Sequence, residues 1–212
     1  MPTAQTCKIG ILVSGRGSNM LAVIRSIEHG KIKGARISVV ISDKRDAKAL
    51  QSAMGHGIDA VWLDPAEAAS RADYDMRLLD ILEEKGVTSK GGLVLLAGFM
   101  RLLSPQFVDA FRGRIMNIHP ALLPSFPGLR AQERALEYGV KVSGCTVHFV
   151  VPEVDSGPII LQSAVKVEEE DSPETLSARI LRQEHTLYPL AVKLFVEGRL
   201  KIEGRKVVIS KK

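Results

Sequence analysis

Three short stretches carry residue types that could do chemistry. Met116-Asn117-Ile118-His119-Pro120 sets a carboxamide and an imidazole two positions apart. In an extended segment that spacing puts both side chains on one side. Such a pair could polarise a carbonyl and stabilise its tetrahedral oxyanion. A loop-capping Asn beside a structural His would leave the same pattern. Pro152-Glu153-Val154-Asp155-Ser156-Gly157-Pro158 holds a carboxylate in a turn of a kind that favours Asp for conformational reasons alone. If Asp155 reached His119, it would raise the imidazole pKa and hold the ring cationic. Spacing does not decide that contact. Gly15-Arg16-Gly17-Ser18-Asn19 lies between a strand pattern and a helix pattern. Glycines there let backbone approach a ligand, and the helix start aims free N–H groups and a positive dipole end at an anion. It is not the dinucleotide fingerprint, because Met20 stands where the third glycine would be, and no Walker-type Gly-Lys-Ser/Thr follows. A plain strand–helix turn would look alike. His148 falls on a strand pattern and His185 beside Glu184 on a helix pattern, and spacing alone gives neither a catalytic role.

The elements that must position these groups alternate. Lys8 to Ser14 reads as a buried strand, followed by helical spacing at Met20, Leu21, Val23, Ile24 and Ile27. Strands are predicted at 35–42 and 58–63, and helices at 46–55 and from Pro65 to Lys85, the last stopping at Gly86. Gly92 to Gly98 is wholly apolar, the mark of a strand covered on both faces. A helix near 105–111 leads to a strand at 115–118, which puts Asn117 and His119 at a strand end, the edge where open α/β sheets bind ligands. The pattern then changes: a short helix at 131–138, two strands at 144–150 and 158–167 that read as an antiparallel hairpin, and a long helix from the N-cap Ser172 and Pro173 to about Val196. Pro189 marks a kink point in that helix. Leu123-Pro124 is a candidate cis bond. The expected class is α/β: a doubly wound, mostly parallel Rossmann-like sheet with a C-terminal antiparallel hairpin and a long helix.

Composition narrows the function classes. The chain has 212 residues with 45% hydrophobic and 25% charged side chains, an ordinary globular balance. No apolar run is long enough to cross a membrane. The only cysteines, Cys7 and Cys145, imply no disulfide framework, no Cys/His cluster has metal spacing, and the expected location is cytoplasmic. The net charge of +5 suits an anionic ligand. No basic run interleaved with aromatics accompanies it, so no nucleic-acid partner is expected.

Seven segments, in order, carry a resemblance over essentially the whole chain: Ser14 to Asn19, Leu96 to Arg101, Asn117 to Pro124, Pro127-Gly128, Val147 to Val150, Asp155 to Pro158, and Gln183-Glu184-His185. In these the sequence resembles the folate-dependent formyltransferases that act on phosphoribosylglycinamide. The resemblance implies transfer of a formyl group from 10-formyltetrahydrofolate to the glycinamide amine in purine biosynthesis, with small-molecule substrates, no metal, and a monomer or homodimer. It places the catalytic set on Asn117, His119 and Asp155. It places the ribonucleotide contacts on Gly17, Ser18, Asn19 and Glu184, and the folate contacts on Arg71, Met100, Arg101, Leu102, Leu103, Val151, Pro152, Glu153 and Val154. It also supplies the pairing of Asp155 with His119. A single formyltransferase domain over 1–212 is expected, with 1–118 as the phosphate-binding half and 119–212 as the folate-binding and catalytic half. The alternatives are a formyl-folate hydrolase using the same three residues, a sugar amine formyltransferase, which the Gly17-Ser18-Asn19 loop and Glu184 disfavour, and a non-catalytic nucleotide-binding module.

Overall fold

A computed structural model describes residues 6–211. Five parallel strands form its centre: β1 (Cys7–Val13), β2 (Ala35–Ser42), β3 (Ala60–Trp62), β4 (Leu93–Leu96) and β5 (Ile115–His119). β6 (Val142–Phe149) runs antiparallel to β5, and β7 (Ile159–Lys166) antiparallel to β6. With β8 (Leu200–Glu203) and β9 (Lys206–Ile209) they make one nine-stranded sheet, ordered β3-β2-β1-β4-β5-β6-β7-β9-β8. The expected class therefore stands, hairpin included. The sheet continues unbroken across the 118/119 boundary.

The apolar runs of β1 and β4 are explained by two cores. Ile9, Ile11, Val13, Leu93 and Leu95 face one, and Leu12, Val94 and Leu96 the other, as alternation demands. α1 (Ser18–Glu28) and α6 (Pro173–Val196) cover the first face. α3 (Arg71–Glu84) and α4 (Pro105–Ala110) cover the second, through Tyr74, Leu78, Leu82, Phe107 and Phe111. α3 lies so close that a Cβ on Gly10 would stand 2.4 Å from the Leu82 side chain. α2 (Lys48–Gly55) packs beside β2 and β3, and α5 (Ala131–Tyr138) against α6.

Two sequence expectations change in detail. The helix from Pro65 to Lys85 is broken: Pro65–Glu67 forms one 3-10 turn, and Ser70, in extended backbone, starts α3 anew. The Ser70 hydroxyl accepts from the Asp73 amide and the Asp73 carboxylate from the Ala69 amide, a reciprocal cap stronger than the helical pattern across it. Arg71 thereby becomes the first residue of α3. Pro189 does not interrupt α6, which runs for 24 residues from a capping box at Ser172 and Thr175. Two turns before its end, at Tyr188, the helix is pinned to the sheet: the buried hydroxyl lies 3.0 Å from the Leu96 carbonyl and 2.9 Å from that of Met116. The Leu123-Pro124 bond is cis.

Candidate active site

The order β3-β2-β1-β4-β5 reverses direction at β1, and the crevice outside the β1 and β4 carboxyl ends is where such sheets bind ligands. The two loops there are tied together. The Ser14 amide donates to the Gly98 carbonyl at 3.1 Å, and the Met100 amide to the Ser14 hydroxyl at 2.9 Å. Gly17 is the N-cap of α1 with φ 75°, and Ser18 and Asn19 belong to the first helical turn. The first-turn amides have no helical acceptor, no side chain caps them, and no acid occupies the turn. Such a turn could cradle an anion with backbone alone. Asn19 also donates to Glu184 at 2.7 Å. Burial pushes the Glu184 carboxyl up, against the Asn19 contact that pulls it down. Tyr188, one turn further along α6, fixes that carboxylate beside the cradle.

The second constellation sits at the end of β5. Asn117 and His119 are joined there by Asp155 from the β6–β7 connection. His119 Nδ1 is 3.2 Å from Asp155 Oδ2, and the Asn117 amide nitrogen is 3.4 Å from Oδ1. The same nitrogen is 3.2 Å from His148 Nε2. His148 Nε2 also lies 3.5 Å from Asp155 Oδ1, and its Nδ1 faces the Phe149 carbonyl at 2.9 Å. The Gly128 amide donates to Asp155 Oδ2 at 2.8 Å, and His119 Nε2 faces the Phe126 carbonyl at 2.9 Å. Phe126 and Asp155 both hold left-handed backbone, φ 53° and 49°, a strain of about 1–3 kcal/mol at each that the surrounding contacts must offset.

The charge state differs from the sequence expectation. Asp155 does reach His119, but burial of the ring outweighs it: the His119 pKa lies below the ordinary imidazole value, with Asp155 and the Phe126 carbonyl opposing the shift. At neutral pH the ring is neutral. Burial alone would raise the Asp155 carboxyl. The His148 ring, the Gly128 amide and His119 reverse that, and it stays below the usual carboxylate range. The resting pair is thus an anion beside a neutral base. Both ring nitrogens of His119 face acceptors, so an added proton would complete the hydrogen bonding.

A pocket opens beside this knot. Arg71, Arg101, Leu102, Leu103, Val151, Pro152, Glu153 and Val154 line it, with Leu96, Phe99, Val108 and Val150 as further apolar wall and Asn117, His148 and Asp155 at its inner end. Met100 is not among the lining residues; its side chain is exposed and its amide holds Ser14. Nor is His119, which is 5% exposed and stands behind Asp155. Sequence reasoning missed His148. The missing signal was register: β5 and β6 pair Asn117 with His148, so alternation along β6 turns that ring to the Asn117 face. Phe126 and Gly128, which act through backbone, left no trace in side-chain type. Among the described residues no cluster of His, Cys, Asp or Glu could hold a metal ion, and no helix is long and apolar enough to cross a membrane.

Comparison with known proteins identifies the family. The chain is 44% identical to the phosphoribosylglycinamide formyltransferase of Escherichia coli, over 92% of this chain and 89% of that protein. It is 43% identical to the trifunctional purine biosynthetic protein adenosine-3 of Gallus gallus over 92% of this chain, which corresponds to only 19% of that longer protein. The crystal structure of glycinamide ribonucleotide transformylase 1 from Symbiobacterium toebii superposes with a TM-score of 0.94 at 51% identity, over 99% of this chain and 96% of that one. Residues 7–192, from β1 to near the end of α6, match the formyl transferase family, and the chain belongs to that family.

Proposed function

We propose that the chain transfers the formyl group of 10-formyltetrahydrofolate to the amine of 5-phosphoribosylglycinamide, the activity that the relatives' names describe. The observation that carries this reading is the Asn117–Asp155–His119 chain of contacts at the inner end of the pocket. The anion cradle at Gly17, Ser18 and Asn19 would take the ribonucleotide phosphate, and Glu184 its sugar hydroxyls. The apolar pocket suits a flat bicyclic ring, and the Arg71 and Arg101 cations suit the carboxylates of a folate tail. The protein works in the cytoplasm, as a monomer or homodimer. Residues 1–118 supply the phosphate cradle and Asn117, and the remainder supplies His119, Asp155 and Glu184.

The chemistry asked of these residues is modest. An amine of this kind has a pKa of roughly 8, so a usable fraction is neutral at pH 7. When its nitrogen bonds to the formyl carbon, the formyl oxygen becomes anionic. Asn117 turns one N–H from its long contact with Asp155 to that oxygen. The amine nitrogen must then lose a proton. Asp155, at the pocket, takes it, and His119 behind Asp155 shares it as an imidazolium with an acceptor at each nitrogen. The proton goes on, through water, to the folate nitrogen as its bond to the formyl carbon breaks. Holding the two substrates together contributes much of the remaining acceleration.

The test is folate release, followed by absorbance, with and without the ribonucleotide. Turnover that requires the ribonucleotide, and that falls roughly 10²–10⁴-fold in His119→Ala, is expected. Release without the ribonucleotide would instead mark a hydrolase, and an unimpaired His119→Ala would remove His119 from the proton path.

A further inference from the structure

The backbone segment that completes the catalytic knot is short, and its three consecutive residues have three different partners. The Phe126 carbonyl faces His119, the Pro127 carbonyl accepts from Arg134 Nη1 at 2.5 Å, and the Gly128 amide donates to Asp155. Upstream, the chain is well fixed only as far as Leu123. Thr146 Oγ1 bonds Ala121 O and Leu123 N, Gln162 donates to Leu123 O, and the Ser125 amide donates to Leu122 O. Downstream, the α5 ladder begins with the Arg134 amide on the Arg130 carbonyl. Between these anchors Phe126 and Arg130 both hold left-handed φ of 53°, a conformation that residues other than glycine leave unless held. Beyond the catalytic residues, the Phe126 ring meets Tyr138, with centroids 6.0 Å apart, and the Arg134 guanidinium, which lies 5.8 Å from the centroid of the Phe126 ring while it bonds Pro127.

We propose that Arg134 is a positioning residue for formyl transfer: its guanidinium fixes the 126–128 segment, and so presents the Phe126 carbonyl to His119 and the Gly128 amide to Asp155. An arginine suits this double task because its plane can lie on a ring while its edge donates to a carbonyl. Arg134 lies outside the folate pocket and makes no contact with His119 or Asp155 side chains by hydrogen bond. It acts on their orientation through the segment, and its charge also helps hold the His119 pKa down. This role rests on the formyl-transfer reading, but the segment can be observed without the reaction.

Two variants separate the possibilities. Arg134→Met keeps the aliphatic stem and loses the donor and the charge. Arg134→Lys keeps both and loses the flat face. In the free protein, amide exchange at Gly128 is expected to quicken at least tenfold in the Met variant and to return most of the way in the Lys variant. In turnover, the Met variant should lose about tenfold in kcat with the KM of both substrates within about twofold, and Lys should recover at least half of the loss. Wild-type exchange at Gly128 in Arg134→Met would overturn the proposal, as would a loss seen in KM rather than kcat, or a failure of Lys to restore either readout. Should the wild-type protein prove inactive on the ribonucleotide, the exchange result would still decide the role of Arg134.

Discussion

At the proposed phosphate cradle the groups on offer are backbone N–H groups from one strand–helix turn, residues 17–19. At the proposed catalytic knot they are mostly side chains, drawn from β5, from β6 and from a connection 38 residues beyond Asn117. The two regions therefore fail differently. A cradle of backbone tolerates changes of side chain but not an unwanted Cβ, because its geometry is conformation. A knot of side chains tolerates small backbone shifts but not loss of one functional group, because each member holds its neighbour's proton or orientation. The first region should be written in KM and the second in kcat.

The sharpest way to break that contrast is Asp155→Asn. The amide is the same size and can still accept from Gly128, but it cannot take a proton from the amine or share one with His119. Turnover is expected to fall about 10³-fold, near the middle of the range for loss of a general base, with the ribonucleotide KM within about twofold. Steady-state kinetics at saturating folate would check both numbers. A matching rise in KM would mean that the cradle and the knot are one unit.

Gly17→Ala is the mirror experiment. Its φ of 75° strains any side chain, and the added Cβ would meet the Ala49 Cβ at 2.7 Å. The strain is on the order of 1–3 kcal/mol, and relief would come by moving the first turn of α1. A ribonucleotide KM raised about tenfold with kcat within threefold is expected. A kcat loss larger than the KM change would contradict the division of labour.

The same difference explains what the sequence made legible. The cradle could be read from Gly17-Ser18-Asn19 because every group it uses is local. Asn117 and His119 could be paired because alternation along one strand is also local. Asp155 was visible only as a turn residue, and its contact with His119 came from resemblance rather than from spacing. His148 was passed over because its relevance depends on the register between β5 and β6. The neutral state of His119 could not be foreseen at all, since burial is a property of the assembled fold and here it exceeds the pull of the one visible partner. Likewise the break at Ser70 follows from a cap that the helical spacing around it concealed.

His148→Ala would test the knot at its margin. The ring lies against the Asn117 carboxamide and helps keep Asp155 ionised, yet it gives up nothing to the reaction. A kcat loss of about tenfold is expected, well below that of Asp155→Asn and in the range of a mislaid orienting group. Amide NMR of Asn117 would show whether the carboxamide has turned. An unchanged carboxamide with unchanged kcat would remove His148 from the site.

The smallest effect belongs to Glu184, and it runs toward stability. Glu184 is 6% exposed and its carboxyl is pushed up by burial, so the folded protein carries the anion at a cost near neutral pH. A carboxyl raised in the folded state stabilises fully below its unfolded pKa, and that contribution is lost as pH rises through the folded value. Glu184→Gln removes the charge, and its carbonyl can still accept from Asn19. The ligand-free variant should melt higher than wild type at pH 7, by about 2 °C, the scale of a 1 kcal/mol effect in a chain this long. The gap should close as pH falls below about 4.3, where the unfolded glutamate is itself protonated. Melting curves at pH 7 and in acid would show both. A pH-independent gap would assign the effect to packing instead, and a lower melting point at pH 7 would mean that the Asn19 bond outweighs the burial of the charge, leaving the cradle as well reinforced by its carboxylate as the knot is by Asp155.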